Sequence, residues 1–243
     1  MAELRLDKLL CFGAPVSRSE ARALARSGRV CVDGVTERSP DRKLDPAAHA
    51  VELDGTLLRC DEYRCYLLNK PAGVLSATED AVQRTVLDLF PAEIRRAGIF
   101  PVGRLDRDTT GLLLLTNDGA FAHALTSPRK GIPKVYRALT DSPMTEGDAA
   151  AFAEGLLLRD GTRCGPAALA LLPGGECQVT LTEGKYHQVK RMIASRGKQV
   201  LSLERVAVGG LRLPPELGRG EYLSLPLDAV RDAIFAAETN VRK

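Results

Sequence analysis

Apolar residues occur in short runs along the chain, and charged or glycine-rich turns separate them. The most apolar run covers residues 112–115, where four consecutive leucines predict a strand that is buried on both faces. Alternation of apolar and polar residues predicts further strands, and apolar spacings of three or four residues predict helices. The predicted strands cover residues 66–68, 111–116, 135–140, 167–172, 177–182, 199–208 and 221–225, and the predicted helices cover 118–125, 145–156, 187–196 and 228–237.

The order of these elements predicts an α+β fold. The strands do not follow the regular β-α-β spacing of a Rossmann fold. The Pro-Gly-Gly turn at 173–175 joins two alternating runs into an antiparallel hairpin. We therefore expect a mainly antiparallel, mixed sheet flanked by helices.

The first 58 residues have a pattern of their own and predict a small separate domain. Ser17 and Glu20 have the spacing of a capping box, and Gly28 fits the end of the helix that follows. Alternating valines around Asp33 and Gly34 predict a tight hairpin. Because periodicity is lost between residues 54 and 65, we expect a first domain at 1–58, a linker at 59–65 and a second domain at 66–240.

Charge and composition limit the possible partners. The formal net charge is only +3 although the chain carries 34 Lys and Arg, so any attraction to phosphate depends on where the basic residues lie. They concentrate in three stretches: Arg18, Arg22 and Arg26 on one side of the first helix, residues 127–137, and residues 185–198. Each stretch fits an RNA backbone, and each also fits ordinary surface solubility.

Aromatic residues make up 5% of the chain and Trp is absent, so stacking platforms of the RRM or OB kind are not expected. The chain has six cysteines without a CxxC pair and only three histidines, so we expect no metal site. The cysteines are typical of reduced thiols in a cytoplasmic protein. We expect neither a signal peptide nor a membrane helix.

A charged loop precedes the leucine strand, and a scaffold of this kind often fixes a catalytic carboxylate. Asp106 is the candidate. The alternative is that its side chain caps the amide of Thr109 or Thr110 in a tight turn. A two-acid glycosidase site with Asp108 is disfavoured: if the segment is extended Asp108 points away, and two acids on one loop leave no room for a sugar between them.

Four motifs between residues 66 and 192 resemble those of a known family. They are YLLNKPAGV at 66–74, GRLDRDTTGLLLLTNDG at 103–119, SPRKGIPKVYRA at 127–138 and EGKYHQVKRM at 183–192. Together they resemble the RsuA-type pseudouridine synthases, the family of RsuA, RluB, RluE and RluF, and residues 4–34 resemble the S4 RNA-binding module. The resemblance implies a small S4 α/β domain followed by a pseudouridine synthase catalytic domain that isomerises a uridine of ribosomal RNA without a cofactor or metal.

The resemblance also implies roles for individual residues. Asp106 matches the catalytic aspartate, and three routes are open to it: attack at C1′, attack at C6, or removal of a C2′ proton. A carboxylate in a water-poor pocket needs a cation to stay charged. Lys190 matches that cation, with Arg191 in reserve. Tyr136 matches the tyrosine that packs on the base and handles the C5 proton.

Each of these residues also has an ordinary structural interpretation. Lys190 and Arg191 would fit a solvated helix face, and Tyr136 would fit a strand residue buried for its area. For Arg104 the resemblance implies that its guanidinium fills the position left by an extruded base and binds phosphate, and the ordinary alternative is a salt bridge to Asp106 or Asp108.

We expect RNA to be the partner. The expected RNA-binding residues are Arg18, Arg22, Arg26, Arg104, Arg129, Lys130, Lys134, His187 and Arg191. The His-Gln-Val-Lys form of residues 187–190 resembles the small-subunit enzyme, which favours 16S rRNA, free or in an assembling ribosomal subunit. We expect a monomer with no membrane partner. The alternatives are a 23S rRNA synthase of the same family, a non-catalytic S4 assembly factor and a nucleoside glycosidase.

Overall fold

The structure is a computed structural model that describes residues 3–58, 60 and 62–235. The chain forms two compact units. The first contains the described residues up to Arg64 together with Pro91–Gly98, and the second contains Cys65–Phe90 together with the described residues from Ile99 onward. Residues 91–98 lie within the range 66–240 that the sequence predicts for the second domain, but their contacts group them with the first unit. This grouping depends on contacts with residues that are distant in sequence, and a local sequence pattern cannot predict such contacts.

The first unit combines three helices with six short strands. They are β1 (Leu4–Arg5), α1 (Leu6–Gly13), α2 (Arg18–Arg26), β2 (Val30–Val32), β3 (Val35–Thr36), β4 (Lys43–Leu44), β5 (Val51–Leu53), β6 (Thr56–Leu57) and α3 (Ala92–Arg95). The predicted capping box is present at the start of α2, and the predicted hairpin joins β2 to β3. Apolar side chains of α1, α2 and β2 form the buried core of this unit.

Two elements of the first unit differ from the sequence prediction. Helix α1 was not predicted, because Arg5 at its N-terminus provides no capping side chain and no recognisable start signal. A second Asp-Gly turn, Asp54 and Gly55, joins β5 to β6 in an antiparallel hairpin. The connector predicted from residue 54 onward therefore begins with the turn and second strand of a hairpin, which extends to Leu57.

The second unit contains the remaining strands and helices. They are β7 (Cys65–Lys70), β8 (Phe100–Pro101), β9 (Thr110–Thr116), α4 (Gly119–Thr126), β10 (Lys134–Thr140), α5 (Glu146–Glu154), β11 (Leu156–Leu157), β12 (Arg163–Cys164), β13 (Ala168–Leu171), β14 (Glu176–Leu181), α6 (Gln188–Ser195), β15 (Val200–Val208), β16 (Leu211–Arg212), β17 (Tyr222–Leu225) and α7 (Leu227–Phe235). Three short 3-10 turns complete it, at Val86–Leu89, Pro128–Lys130 and Pro173–Gly175. The predicted strands and helices are present to within a few residues, and residues 236–237 of the last predicted helix lie outside the described residues.

One large sheet organises the second unit. Its strand order is β13-β14-β10-β15-β9-β7-β17, with β16 beside β15 and β8 beside β9. All described pairings are antiparallel except that between β9 and β15. The predicted α+β fold on a mainly antiparallel, mixed sheet is confirmed.

Strand β9 lies inside this sheet and is buried on both faces, as its four leucines predict. None of the four is more than 1% exposed. Leu112 and Leu114 pack with Phe121 of α4 and with Ile234 of α7 in one apolar cluster. A second cluster joins α5 and α6 to β10, β14 and β15. The loop that precedes β9 is thus anchored to a buried strand.

No helix of the described part of the chain is long and apolar enough to cross a bilayer.

Candidate active site

The Asp106 loop ends where β9 begins, and its backbone closes in a tight turn. The Thr109 amide donates to the backbone carbonyl of Asp106 at 3.1 Å. The Asp106 carboxylate therefore does not cap this turn and is left for other partners. Gly111 follows with φ +99°, and a Cβ there would lie 2.3 Å from the Arg205 carbonyl of β15. Glycine is required because β9 and β15 approach so closely.

Lys70 supports the loop from beneath. Its side chain is fully buried, and Nζ donates to four backbone carbonyls, those of Pro71 (3.0 Å), Asp106 (3.1 Å), Arg107 (3.2 Å) and Thr109 (2.9 Å). Burial lowers the pKa of Lys70 to about 8, while the nearby carboxylates of Asp108 and Asp106 oppose the shift. Most molecules therefore keep the ammonium form at neutral pH. Lys70 lies inside a quoted motif, but no role was predicted for it.

The Asp106 carboxylate faces two groups from the segment around α6. Lys190 Nζ lies 3.1 Å from Asp106 Oδ2, and His187 Nε2 lies 3.4 Å from Asp106 Oδ1. Arg191 points elsewhere, because it pairs with Asp160 and donates to Thr162 Oγ1 at 3.2 Å. Of the two cations considered from the sequence, the structure places Lys190 at the carboxylate.

Asp108 does not point away from the site, and that expectation was wrong. Its Oδ1 lies 2.5 Å from Lys190 Nζ, so one ammonium bridges both carboxylates of the loop. The hydrogen bond from Lys190 lowers the pKa of Asp108, with burial opposing it. Burial likewise opposes the charge on Lys190, but Asp108 and Asp106 outweigh it and raise the pKa of Lys190. Lys190 therefore remains positively charged beside Asp106.

A cleft of about 440 Å³, including its open mouth, lies in front of Asp106. Tyr136 of β10 contributes to its lining, together with Leu181, Val189 and Leu203. Tyr136 also packs partly against the apolar cluster of α5 and α6. The structure thus brings Asp106 and Tyr136 to one cavity that has an apolar wall and a carboxylate, a combination suited to a flat, polar-edged ring.

Thr109 also lines this cleft, and its hydroxyl has an unusual position. The side chain is 1% exposed, and Thr109 Oγ1 is the one buried side-chain oxygen or nitrogen of the described residues without a hydrogen-bond partner. A buried hydroxyl without a partner costs about 1–3 kcal/mol. From the sequence, Thr109 is predicted only as a turn amide, since the pattern gives no sign of an unpaired hydroxyl.

Arg104 lies at the edge of the cleft with an exposed side chain. Among the residues that the structure describes, it forms no ion pair with Asp106 or Asp108. The salt-bridge interpretation of Arg104 is therefore wrong for this structure, and its guanidinium is available to a ligand.

The Arg18, Arg22 and Arg26 ridge of α2 is less free than its sequence suggests. Asp7 of α1 is fully buried and accepts from Arg5 (3.0 Å), Arg18 (3.3 Å) and Arg22 (3.0 Å). The hydrogen bond from Arg5 is the main cause that holds the pKa of Asp7 well below its ordinary value; burial opposes it, and Arg22 and Arg18 add to it. Three arginines around one carboxylate leave a net positive, partly exposed surface.

The basic stretch at 185–198 is mostly neutralised, contrary to its appearance in the sequence. Lys185 pairs with Glu183, Arg191 with Asp160, and Arg196 and Lys198 with the buried Asp148. Glu183 is a neighbour in sequence, whereas Asp160 and Asp148 are distant in sequence and reach their cations only once the chain is folded. The earlier stretch is more open: Arg129 and Lys130 are exposed and have no ion pair within the described chain, whereas Arg137 pairs with Glu176 and Lys134 is half-buried.

The described residues contain no group of three His, Cys, Asp or Glu side chains that could hold a metal ion. The six cysteines are free thiols. Burial raises the pKa of the Cys65 thiol to about 12, and it also raises those of Cys164 and Cys177. All three thiols are buried.

Two known family models match this chain. A family model described as RNA pseudouridylate synthase matches residues 64–195, which is more than half of the chain and includes Asp106, Tyr136 and Lys190. The chain belongs to the RNA pseudouridylate synthase family. It is therefore a pseudouridine synthase, an isomerase that acts on RNA. An S4 domain model matches residues 4–48 in its first unit.

Relatives of this pseudouridine synthase match it over almost their whole length. An uncharacterized RNA pseudouridine synthase of Bacillus subtilis is 40% identical, over 91% of this chain and 95% of that protein. The ribosomal small subunit pseudouridine synthase A of Escherichia coli is 39% identical, over 95% of this chain and all of its own. A crystal structure of a pseudouridylate synthase superposes with a TM-score of 0.66 at 35% identity, covering 95% of this chain and 100% of that one.

Proposed function

We propose that this pseudouridine synthase modifies ribosomal RNA, and that its target is a 16S rRNA uridine of the position-516 type. Two observations support the 16S target. The Escherichia coli relative, which this chain matches from end to end, is named for the small ribosomal subunit. Residues 187–190 have the His-Gln-Val-Lys form that the sequence analysis associated with the small-subunit enzyme.

The observation that carries the mechanism is the Asp106 carboxylate in the cleft with Lys190 Nζ at 3.1 Å. A uridine in folded RNA must leave its stack to reach such a cleft. Inside, the base would lie between Tyr136 and the Asp106 loop. The Lys190 ammonium supplies an opposite charge directly beside the Asp106 side chain.

Asp106 then starts the isomerisation by attack at C1′, attack at C6, or removal of the C2′ proton. Each route ends with the N1–C1′ bond broken, the base turned in the cleft and a C5–C1′ bond formed. The reaction neither gains nor loses atoms or electrons, so no redox partner takes part. Tyr136, which lines the cleft, would hold the base during the turn and handle the C5 proton.

Arg104 is the group proposed to stabilise the RNA from which the uridine has left. Its guanidinium is planar, exposed and unpaired within the described chain, so it is available either to fill the vacated stack or to bind a phosphate. Arg129 and Lys130, together with the S4 unit around Arg18, Arg22 and Arg26, would add contacts to the RNA backbone.

Asp106→Asn tests the chemistry. The change keeps the size and removes the charge, so turnover should fall by at least three orders of magnitude, while RNA affinity and melting temperature stay close to those of the wild type. The measurement is single-turnover pseudouridine formation on the 16S rRNA of the source organism. Turnover near the wild-type rate would exclude Asp106 from the mechanism.

Chemical mapping of pseudouridine in rRNA from cells with and without this chain tests the target. One site should disappear from 16S rRNA and return with the wild-type protein but not with Asp106→Asn. Disappearance of a 23S site instead would contradict the 16S proposal and leave the enzymatic assignment intact.

A further inference from the structure

Tyr186 occupies a position next to the active site that none of the catalytic roles explains. It is 74% exposed, which leaves most of a large ring in water. The ring stacks on the His187 imidazole, with the centroids 3.8 Å apart and the planes within 17° of each other. His187 in turn lies 3.4 Å from Asp106 and lines the cleft. The two rings therefore form a short stack that leads from the carboxylate to the outside of the cleft.

The loop that holds this stack is fixed by several independent contacts. His187 adopts a left-handed conformation with φ +46°, which is unfavourable for a residue with a Cβ. Such a conformation persists only where the surroundings hold it. Here Gln188 Oε1 accepts from the Lys185 amide at 2.8 Å, the Gln188 amide donates to the Lys185 carbonyl at 3.1 Å, and Arg191 donates to the Tyr186 carbonyl at 3.1 Å.

Glu183 stabilises this loop through further contacts. Its carboxylate accepts from the Gln188 side chain and from the Gly165 amide, and it pairs with Lys185. The backbone of Tyr186 is thus held in place before any ligand arrives, while its ring stays open to solvent. A rigid, exposed aromatic ring loses little conformational entropy when another ring packs on it.

We propose that Tyr186 is the stacking platform for the base of a nucleotide that flanks the target uridine. The inference rests on the proposed function only in requiring an RNA substrate with an extruded uridine. When the uridine enters the cleft, its neighbours lose a stacking partner, and an aromatic face at the cleft mouth replaces that contact. The exposed cation Arg104 also lines the cleft, and it favours a partner with a phosphate backbone.

This platform differs from the extended aromatic surfaces that the low aromatic content excludes. It needs one ring, and it accepts any base because every base has a π face. Tyr186 would therefore strengthen the grip on the extruded conformation without reading a sequence. Specificity for the site would come from the remaining contacts.

Binding and single-turnover rates of Tyr186→Ala, with Tyr186→Phe and Leu171→Ala as controls, test the proposal. The probe is a short hairpin of the rRNA that contains the uridine identified by mapping. Tyr186→Ala should raise the half-saturating concentration about tenfold and change the rate at saturation less than threefold, because the ring contacts RNA and not the reacting atoms. Tyr186→Phe keeps the π face and should behave like the wild type. Leu171→Ala removes an exposed apolar side chain of β13 and should also have no effect.

A second set of RNAs replaces each base that flanks the uridine by an abasic nucleotide, one at a time. At one flanking position the wild type should bind the abasic RNA about tenfold more weakly, and Tyr186→Ala should show no such difference. Unchanged affinity of Tyr186→Ala would overturn the platform. Unchanged affinity with a lower rate at saturation would also overturn it, since Tyr186 would then act through His187. Either result leaves pseudouridine formation by the wild type intact, so it is distinguishable from failure of the proposed function.

Discussion

Lys70 has no exposed surface, and burial alone would favour the neutral form of a lysine. Four carbonyl oxygens take the place of water around its ammonium, and three of them belong to the loop of Asp106. Lys190 restrains the same loop from the other side through the two carboxylates. Lys70 thus holds the backbone of the loop and Lys190 pairs with its carboxylates, so the proposed catalytic Asp106 is restrained from two sides.

Lys70→Met should separate these two effects. The thioether keeps much of the buried stem but leaves the carbonyls of the loop without a donor, which should lower the free energy of unfolding by roughly 2–4 kcal/mol. Because a shift of about 1 Å in a catalytic group costs on the order of a hundredfold in rate, turnover at saturating RNA should fall by about that factor. Chemical denaturation and single-turnover kinetics check both values.

The control for Lys70→Met is Lys134→Met, a half-buried lysine with a single long contact of 3.4 Å to the Thr182 carbonyl. It should lower the free energy of unfolding by less than about 1 kcal/mol. If Lys70→Met is as mild as this control, the four carbonyl contacts do not hold the loop.

At the scale of elements, local signals predicted some structures and could not predict others. The capping box of α2 and the Asp-Gly hairpin after β2 involve residues close in sequence, so they were found directly. Helix α1 lacks such a signal at Arg5 and was missed. The pattern at 185–198 shows only its cations, because their acidic partners, such as Asp148, come from other elements.

The candidate site shows the same division. Asp106, Tyr136 and Lys190 were found through motifs, and the structure places Asp106 and Tyr136 at one cleft with Lys190 at the Asp106 carboxylate. Neither Lys70 as a support nor Asp108 as a second partner of Lys190 could be inferred from spacing. Lys190 and Asp108 are 82 positions apart in sequence, and Lys70 is 36 to 39 positions from the loop residues it contacts. Only the folded chain brings these side chains together.

Gly111→Ala tests the close pairing of β9 and β15. A Cβ would lie 2.3 Å from the Arg205 carbonyl, and φ +99° is itself unfavourable for alanine. The substitution should cost roughly 3 kcal/mol of unfolding free energy and displace the start of β9, with loss of turnover. Gly119→Ala in the first turn of α4 meets no atom within 4 Å and should be neutral or slightly stabilising. Equal melting temperatures for the two variants would contradict the close approach.

For the whole molecule, two buried carboxylates determine the response to acid. Asp7 in the first unit and Asp148 in the second both have a pKa held well below the ordinary value of about 3.9. At Asp148, burial works in the opposite direction, but Lys198, Arg196 and the Thr145 contacts outweigh it. Because the folded state holds these protons less tightly than the unfolded chain, the stability is present above about pH 4 and is lost as the pH falls below it.

Asp7→Asn should therefore destabilise the protein in a pH-dependent way. At pH 7 the loss should be about 2 kcal/mol, less than for a pair with both partners buried, because the arginines left behind reach solvent. The difference from the wild type should shrink as the pH approaches 2. Thermal melts from pH 7 to pH 2 measure it, with the exposed Asp232→Asn as a control. A difference that stays constant with pH would show that the Asp7 charge has no part in stability.

The parallel contact between β9 and β15 also constrains the order in which the chain can assemble during its synthesis. Arg205 reaches the Leu112 carbonyl across 93 residues, and Lys190 reaches the Asp108 carboxylate across 82. A ribosome that has just released the leucine strand has not yet made either partner. The nascent chain must keep an apolar strand with an open edge until β15 emerges, so this stage is the one most exposed to aggregation. Asp106 and Asp108 therefore gain Lys190 only after α6 has been made, and a nascent chain that stops before α6 lacks this ion pair.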